Sequence, residues 1–152
     1  MKRTPTIIVI AILFTACAST HDIIPAETSN SIPKGATKVM VTSKFPADSL
    51  YKESYTELAN EGYTVIHSSD QMHQISAKNT MGLLGGDELT VNILVNNEGN
   101  GSKAILSGTW NNSYLGTTKA EWSGGKHSKD EYSFALIVKI AKQLNGTISY
   151  SK

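Results

Sequence analysis

The sequence predicts an α+β domain: an antiparallel sheet with two helices packed on one face, in the order β-α-β-β-β-β-α. Three observations predict it. Leu89, Val91, Ile93 and Val95 alternate with Glu88, Thr90 and Asn92, the period of a strand with one buried face. Phe134, Ile137, Val138, Ala141 and Leu144 recur at helical spacing, with Leu136 and Ile140 widening the stripe. Strands with a single apolar face need a cover, and two amphipathic helices supply it.

Taken in order, Lys38-Val39-Met40-Val41-Thr42 reads as the first strand. Pro46-Ala47-Asp48 opens a helix, since proline and aspartate both suit a first turn. Tyr51, Tyr55, Leu58 and Ala59 fall on one face of it, and Gly62 ends it. Residues 63–68 and 72–78 form two strands of a hairpin around the turn Ser68-Ser69-Asp70-Gln71. A glycine-rich loop covers 79–87. After the 88–95 strand, Asn96-Asn97-Glu98-Gly99-Asn100-Gly101 makes a hairpin loop of residues that tolerate positive φ. The strand over 103–110 turns Ala104, Leu106, Gly108 and Trp110 to one side. A long connection, 111–127, holds a short strand around 118–122. Ser128 and Glu131 form a capping box for the second helix, Gly146 closes it, and 147–150 is a short last strand.

The N-terminus carries different information. Met1-Lys2-Arg3 is basic, 7–14 is apolar, and Thr15-Ala16-Cys17 ends the run. That is the layout of a secretory signal. This apolar run is less than half the roughly twenty residues a spanning helix needs. Phe14-Thr15-Ala16-Cys17 resembles the lipobox of bacterial lipoproteins, and Ala16-Cys17-Ala18 also fits ordinary signal peptidase. Cys17 is the only cysteine and sits where the apolar run ends, which favours lipidation.

The lipobox resemblance implies cleavage after residue 16, a diacylglycerol thioether on Cys17 and an acylated amine. Buried acyl chains contribute about 0.8 kcal/mol per methylene, enough for stable membrane anchoring. Ala18 stands where an aspartate would imply retention in the inner membrane, so the resemblance favours the outer membrane. The expected organisation is a signal peptide over 1–16, a lipid-anchored flexible tether over 17–36, and one globular domain over 37–152. The tether expectation rests on the Ser, Thr and Ala content with Pro25, Pro33 and Gly35.

Composition excludes several function classes. Removing Lys2 and Arg3 leaves 12 basic side chains against 13 acidic, and Arg3 is the only arginine. A near-neutral domain without a guanidinium argues against nucleic acid as a partner. With one cysteine there is neither a disulfide nor a thiolate metal site. The strand and helix order is similar to the TATA-binding-protein-like and helix-grip folds, which also occur in envelope lipoproteins. The whole chain resembles the small uncharacterised lipoproteins of Bacteroidetes. No functional residue besides Cys17 follows from that resemblance, and DNA binding does not, because fold does not imply function.

Candidate chemistry is sparse. His67 and His73 flank one hairpin turn, and opposed histidines can bind zinc with Asp70 or a glutamate as third ligand. Nothing else nearby has ligand spacing, so they read as ordinary strand residues and no metal is expected. Asp87 and Glu88 read as solvated carboxylates at a strand start. No Gly-x-Ser-x-Gly elbow or nucleophile–base pair is present, so no catalytic residue and no cofactor is expected. The most suggestive surface is Met81-Gly82-Leu83-Leu84-Gly85-Gly86, apolar side chains in a glycine loop. Tyr114 and Trp122, in the other long loop, are expected to join it as contact residues. The expectation is a non-enzymatic binding or adaptor module with another envelope protein as partner. The alternative is a carrier for a lipid or other apolar ligand held between sheet and helix.

Overall fold

The computed structural model describes residues 23–81, 86–114, 116–124 and 128–152. The described elements are α1 (Ala26–Ser31), β1 (Lys38–Ser43), α2 (Ala47–Asn60), β2 (Thr64–Ser69), β3 (Gln74–Met81), β4 (Asp87–Glu98), β5 (Gly101–Asn112), β6 (Gly116–Lys119), α3 (Lys129–Gln143) and β7 (Thr147–Ser151). Every strand pairing is antiparallel, in the order β2-β3-β4-β5-β1-β7, with β6 on the same edge of β5 as β1. The chain is α+β, with α2 and α3 both against β4 and β5 or their neighbours. Among the described residues no helix is long and apolar enough to cross a membrane.

Register explains the two faces. Leu89 pairs with Trp110, Val91 with Gly108, Ile93 with Leu106 and Val95 with Ala104. Leu106 and Ala104 pair onward with Val39 and Val41, and Val91 and Ile93 with Ala77 and Ile75. Directly opposed residues share a face, so these apolar side chains form one continuous surface under the helices. All of them are buried. The other face carries Asn92, Ser107, Thr109 and lysines, crossed by a short apolar strip of Leu94, Ile105 and Met40.

The ends of the elements follow local chemistry. Gly62 at φ 79 closes α2, with Tyr63 N donating to Leu58 O at 2.9 Å and Gly62 N to Ala59 O at 3.0 Å. Ser128 caps α3, its Oγ accepting from Glu131 N at 3.2 Å. The Glu131 carboxylate is fully buried and accepts from Ser123 Oγ.

Several expectations are corrected. The buried face of α2 is Ala47, Leu50, Tyr51, Ser54 and Leu58, while Tyr55 and Ala59 face out. Ser54 satisfies its hydroxyl inside the helix, donating to Leu50 O at 2.7 Å, and so occupies a core position that a hydrophobic count misses. The glycine loop shrinks to 82–86, because β3 runs on through Met81 and pairs with Asp87. The 96–101 loop shrinks to a turn of Gly99, at φ 56, and Asn100. The strand expected around 118–122 is Gly116–Lys119, and 147–150 is β7, paired to β1.

The segment expected as tether also differs over its described part, 23–36. It contains α1 and buries Ile24, Ile32 and Ala36 in the domain core. Burying each of the two isoleucines contributes about 1.5–3 kcal/mol, which offsets part of the entropy lost when a serine- and threonine-rich segment is ordered. The signal peptide and Cys17 lie outside the described residues.

Tyr63 offers a test of this core. Its hydroxyl is buried and has no hydrogen-bond partner among the described residues. Burial raises the Tyr63 phenol well above its ordinary value, and burial likewise raises Tyr51 and Tyr150. Unfolded tyrosines ionise near about pH 10. The folded state therefore holds these protons longer: stability is full below that pH and falls as pH rises through the higher folded values. Tyr63→Phe is expected to stabilise the domain by up to about 1 kcal/mol at neutral pH, since it removes an unpaired buried hydroxyl. It should also flatten the alkaline loss. Urea denaturation across that pH range reads both, and a destabilised Tyr63→Phe would show that the hydroxyl is bonded after all.

Candidate functional site

One end of the sheet gathers the loops that the sequence singles out. β3 hands to β4 through 82–86, and β5 hands to β6 through 113–115. The described ends of the two connections meet: Ser113 N donates to Gly86 O at 3.3 Å, and Asp87 is directly opposite Asn112.

A polar base supports this end. Asn112 Nδ2 donates to Asp87 Oδ1, and Lys129 Nζ donates to Asp87 Oδ2 at 2.9 Å. The same ammonium stands 4.7 Å from the ring centroid of Trp110, a cation–π contact. The Asn112 hydrogen bond, and after it Lys129, holds the Asp87 carboxyl below the usual carboxylate range. Asn112 Oδ1 in turn accepts from Tyr114 N at 2.8 Å. The chain is thus tied down on either side of its tip, while the Tyr114 side chain is 92 % exposed. Asp87 is a structural tie for the two loops, joining β4, β5 and α3.

Of the expected contact residues, Tyr114 is exposed in the turn after β5. Leu83 and Leu84 lie outside the described residues, and for Met81 only the backbone of β3 is described. Trp122 is corrected: it is 3 % exposed and packs in the core, its ring 6.4 Å from that of Phe134. The cause is backbone pairing beyond β6. Trp122 N donates to Ala36 O at 2.9 Å and Gly35 N to Trp122 O at 2.8 Å, which turns the indole inward. Trp110 is likewise a buried residue, as its strand face predicts.

The two histidines separate. His67 is an exposed strand residue opposite Ser76, displaced by a bulge at Ile66. His73 sits in the turn at φ 46, the only non-glycine residue at positive φ among those described. Its Nε2 lies 2.7 Å from Asp48 Oδ1, and its ring is edge-on to Tyr51 at 5.7 Å. Tyr51 donates to Asp70 Oδ1 at 2.9 Å, and burial followed by this carboxylate keeps its phenol above the ordinary value. These bonds clamp the β2–β3 turn to the start of α2. Beside them lies a shallow hollow of about 310 Å³ lined by Tyr51, Lys52, Tyr55, Thr56, Ser68 and Asp70. Sequence reasoning missed this clamp because Asp48 and His73 are 25 residues apart and no local pattern links them. Among the described residues no three metal-ligating side chains come together.

No protein-family profile matches the chain, and no curated protein matches it. Solved structures similar to it include the crystal structure of Ara h 8.0201, at 8% identity and a TM-score of 0.44, covering 72% of this chain and 97% of that one. They also include a DUF4468 family protein from Bacteroides ovatus, at 11% identity and a TM-score of 0.36, covering 74% of this chain and 84% of that one.

Proposed function

We propose that this chain is a lipid-anchored protein of the bacterial envelope, of the Bacteroidetes lipoprotein kind, and that its domain is a non-enzymatic adaptor that binds another envelope protein. Cys17 is the anchor, and Ala18 after it favours the outer membrane. The observation that carries the binding role is Tyr114, held out at 92 % exposure on a tied backbone next to Ser113, which bonds Gly86. A large aromatic on a rigid support keeps its contact area at low entropic cost, which is why tyrosine recurs at interface hot spots.

The alternative, a carrier of a lipid or other apolar ligand, needs room between the sheet and its helices. Ile137 Cδ1 stands 2.6 Å from the point a Gly108 side chain would occupy, so α3 is seated directly on β5 there. Phe134, Leu50, Leu58, Ile93 and Leu106 fill the same layer and are fully buried. That packing favours the adaptor.

Crosslinking in the native envelope, followed by capture and mass spectrometry, tests the reading. The wild type should bring down one protein in stoichiometric amount. Cys17→Ser should lose it through mislocalisation, and Tyr114→Ser should reduce recovery about tenfold or more while the lipoprotein stays in the membrane. Recovery of the lipoprotein alone would remove the adaptor, and full recovery with Tyr114→Ser would move the contact surface elsewhere.

A further inference from the structure

The solvent-side face of the sheet has a break that the loop end does not explain. β1 and β6 share one edge of β5: Lys38 pairs with Ser107, and Lys119 with Thr109. Gly108, between them, is where β5 changes partner, its carbonyl accepting from Ala120 N at 3.0 Å. On the face away from the helices this handover leaves a half-open notch of about 180 Å³, lined by Lys38, Asn92, Ser107, Thr109, Lys119 and the backbone of Gly108, with Thr37 at its edge. Register places Lys38, Asn92, Ser107, Thr109 and Lys119 on one face, since Asn92 and Lys38 are both opposite Ser107 and Lys119 is opposite Thr109.

The lining is one-sided in charge. The strands of this face carry four lysines, of which Lys78 is paired with Glu88 at 3.0 Å and Lys103 is paired with Glu98. Lys38 and Lys119 have no carboxylate within ion-pair distance among the described residues. Glu121 follows Lys119 by two positions, forms no ion pair with it, and does not line the notch. Asn92 Oδ1 is already occupied, accepting from Ser76 Oγ at 2.7 Å, which leaves the Nδ2 donor for the notch. Two lysines, an asparagine with a free amide donor, and the hydroxyl-bearing Ser107 and Thr109 therefore line the notch with no acidic residue among them.

We propose that this notch binds a phosphate group carrying close to two negative charges. Drug-sized ligands occupy pockets of about 300–1,000 Å³, so a smaller notch suits a compact anion. A phosphate monoester or inorganic phosphate carries about −1.5 to −2 at neutral pH, which matches two lysines better than a carboxylate or a diester does. The absence of arginine is no obstacle, because lysine holds phosphate as a point charge without a bidentate fork. The same group is available free in solution or as the terminal monoester of a membrane lipid. The site is separate from Tyr114 and does not depend on the adaptor reading.

The test uses the full chain, isotopically labelled and held in phosphatidylcholine bicelles, with backbone amide resonances as the readout. One arm adds inorganic phosphate; the other replaces part of the phosphatidylcholine with phosphatidic acid. Saturable shifts confined to Ser107, Gly108, Thr109, Lys38 and Lys119 are expected in at least one arm, and which arm responds identifies the source. Lys38→Gln/Lys119→Gln should weaken that response about tenfold or more with the remaining spectrum unchanged. Silence in both arms, an equal response to chloride at matched ionic strength, or an unchanged response in the double variant would each overturn the site.

Discussion

Replacing Phe134 with alanine is expected to cost about 4 kcal/mol, within the range of about 3–5 kcal/mol for truncating a buried phenylalanine. Phe134 is fully buried on α3, between Trp122 at 6.4 Å and Tyr150 at 6.5 Å, both rings tilted by nearly 50°. Such tilted aromatic pairs contribute about 0.5–1.5 kcal/mol each beyond the area they bury. The side chain thus joins α3, the strand β7 and the segment after β6. Urea denaturation should show a lower midpoint with an unchanged slope, and the thermal midpoint should fall by on the order of 10–20 °C. Leu136→Ala, on the half-buried flank of the same helix, is the control and should lose much less. A Phe134→Ala loss no larger than that of Leu136→Ala would mean that Trp122 and α3 do not pack as described.

That contact also shows where the sequence stops being legible. The strand β4, the inward side of β5 and the stripe of α3 are all readable, because each is long and buries one face at a clean period. Trp122 was unreadable from its neighbours. Ala120 and Trp122 alternate with Glu121 and Ser123, but what turns the indole inward is a pair of backbone bonds to Gly35 and Ala36, more than eighty residues away in the chain. The same partnership explains why 23–36 is not a free tether: its serine and threonine content suggests a coil, whereas three isolated apolar residues and two backbone bonds hold it down.

Glycine and asparagine misled in a consistent way. Both loops beside β4 look longer in the sequence than they are, because Asn79, Asn96 and Asn97 are weak strand formers kept in the ladder by pairing with their neighbours. Of the candidate contact residues, Tyr114 was singled out as an aromatic of the long connection 111–127, and it is exposed. The Asp87–Asn112–Lys129 base beneath it was not, since its three residues come from three elements. The notch at Gly108 was unreadable for the same reason: it exists only because β1 and β6 meet on one edge of β5.

At the opposite end of β5, Gly101→Ala is expected to cost about 3 kcal/mol, the upper part of the range for overpacking. A methyl group there would stand 2.1 Å from the carbonyl oxygen of Ser43 and 3.1 Å from the Cα of Lys44. These are backbone atoms, so no rotamer change relieves the clash. At Gly108 the nearest atom is the far end of the Ile137 side chain, which can move. The corner that would have to open is tied on both sides: Ser102 Oγ donates to Phe45 O at 2.7 Å, and Phe45 N donates to Ser43 Oγ at 3.2 Å. Gly99→Ala is the informative comparison. It meets nothing within 4 Å but must hold φ 56, so it should cost only about 1–2 kcal/mol of backbone strain. A Gly101→Ala cost below that of Gly99→Ala would mean that β5 does not approach the β1 corner this closely. The position also separates stability from binding. Twelve residues of extended strand put this corner about 35 Å from Asn112 and the Tyr114 tip. Partner recovery in Gly101→Ala should therefore follow only the folded fraction, whereas Tyr114→Ser should lose the partner with the melting curve unmoved.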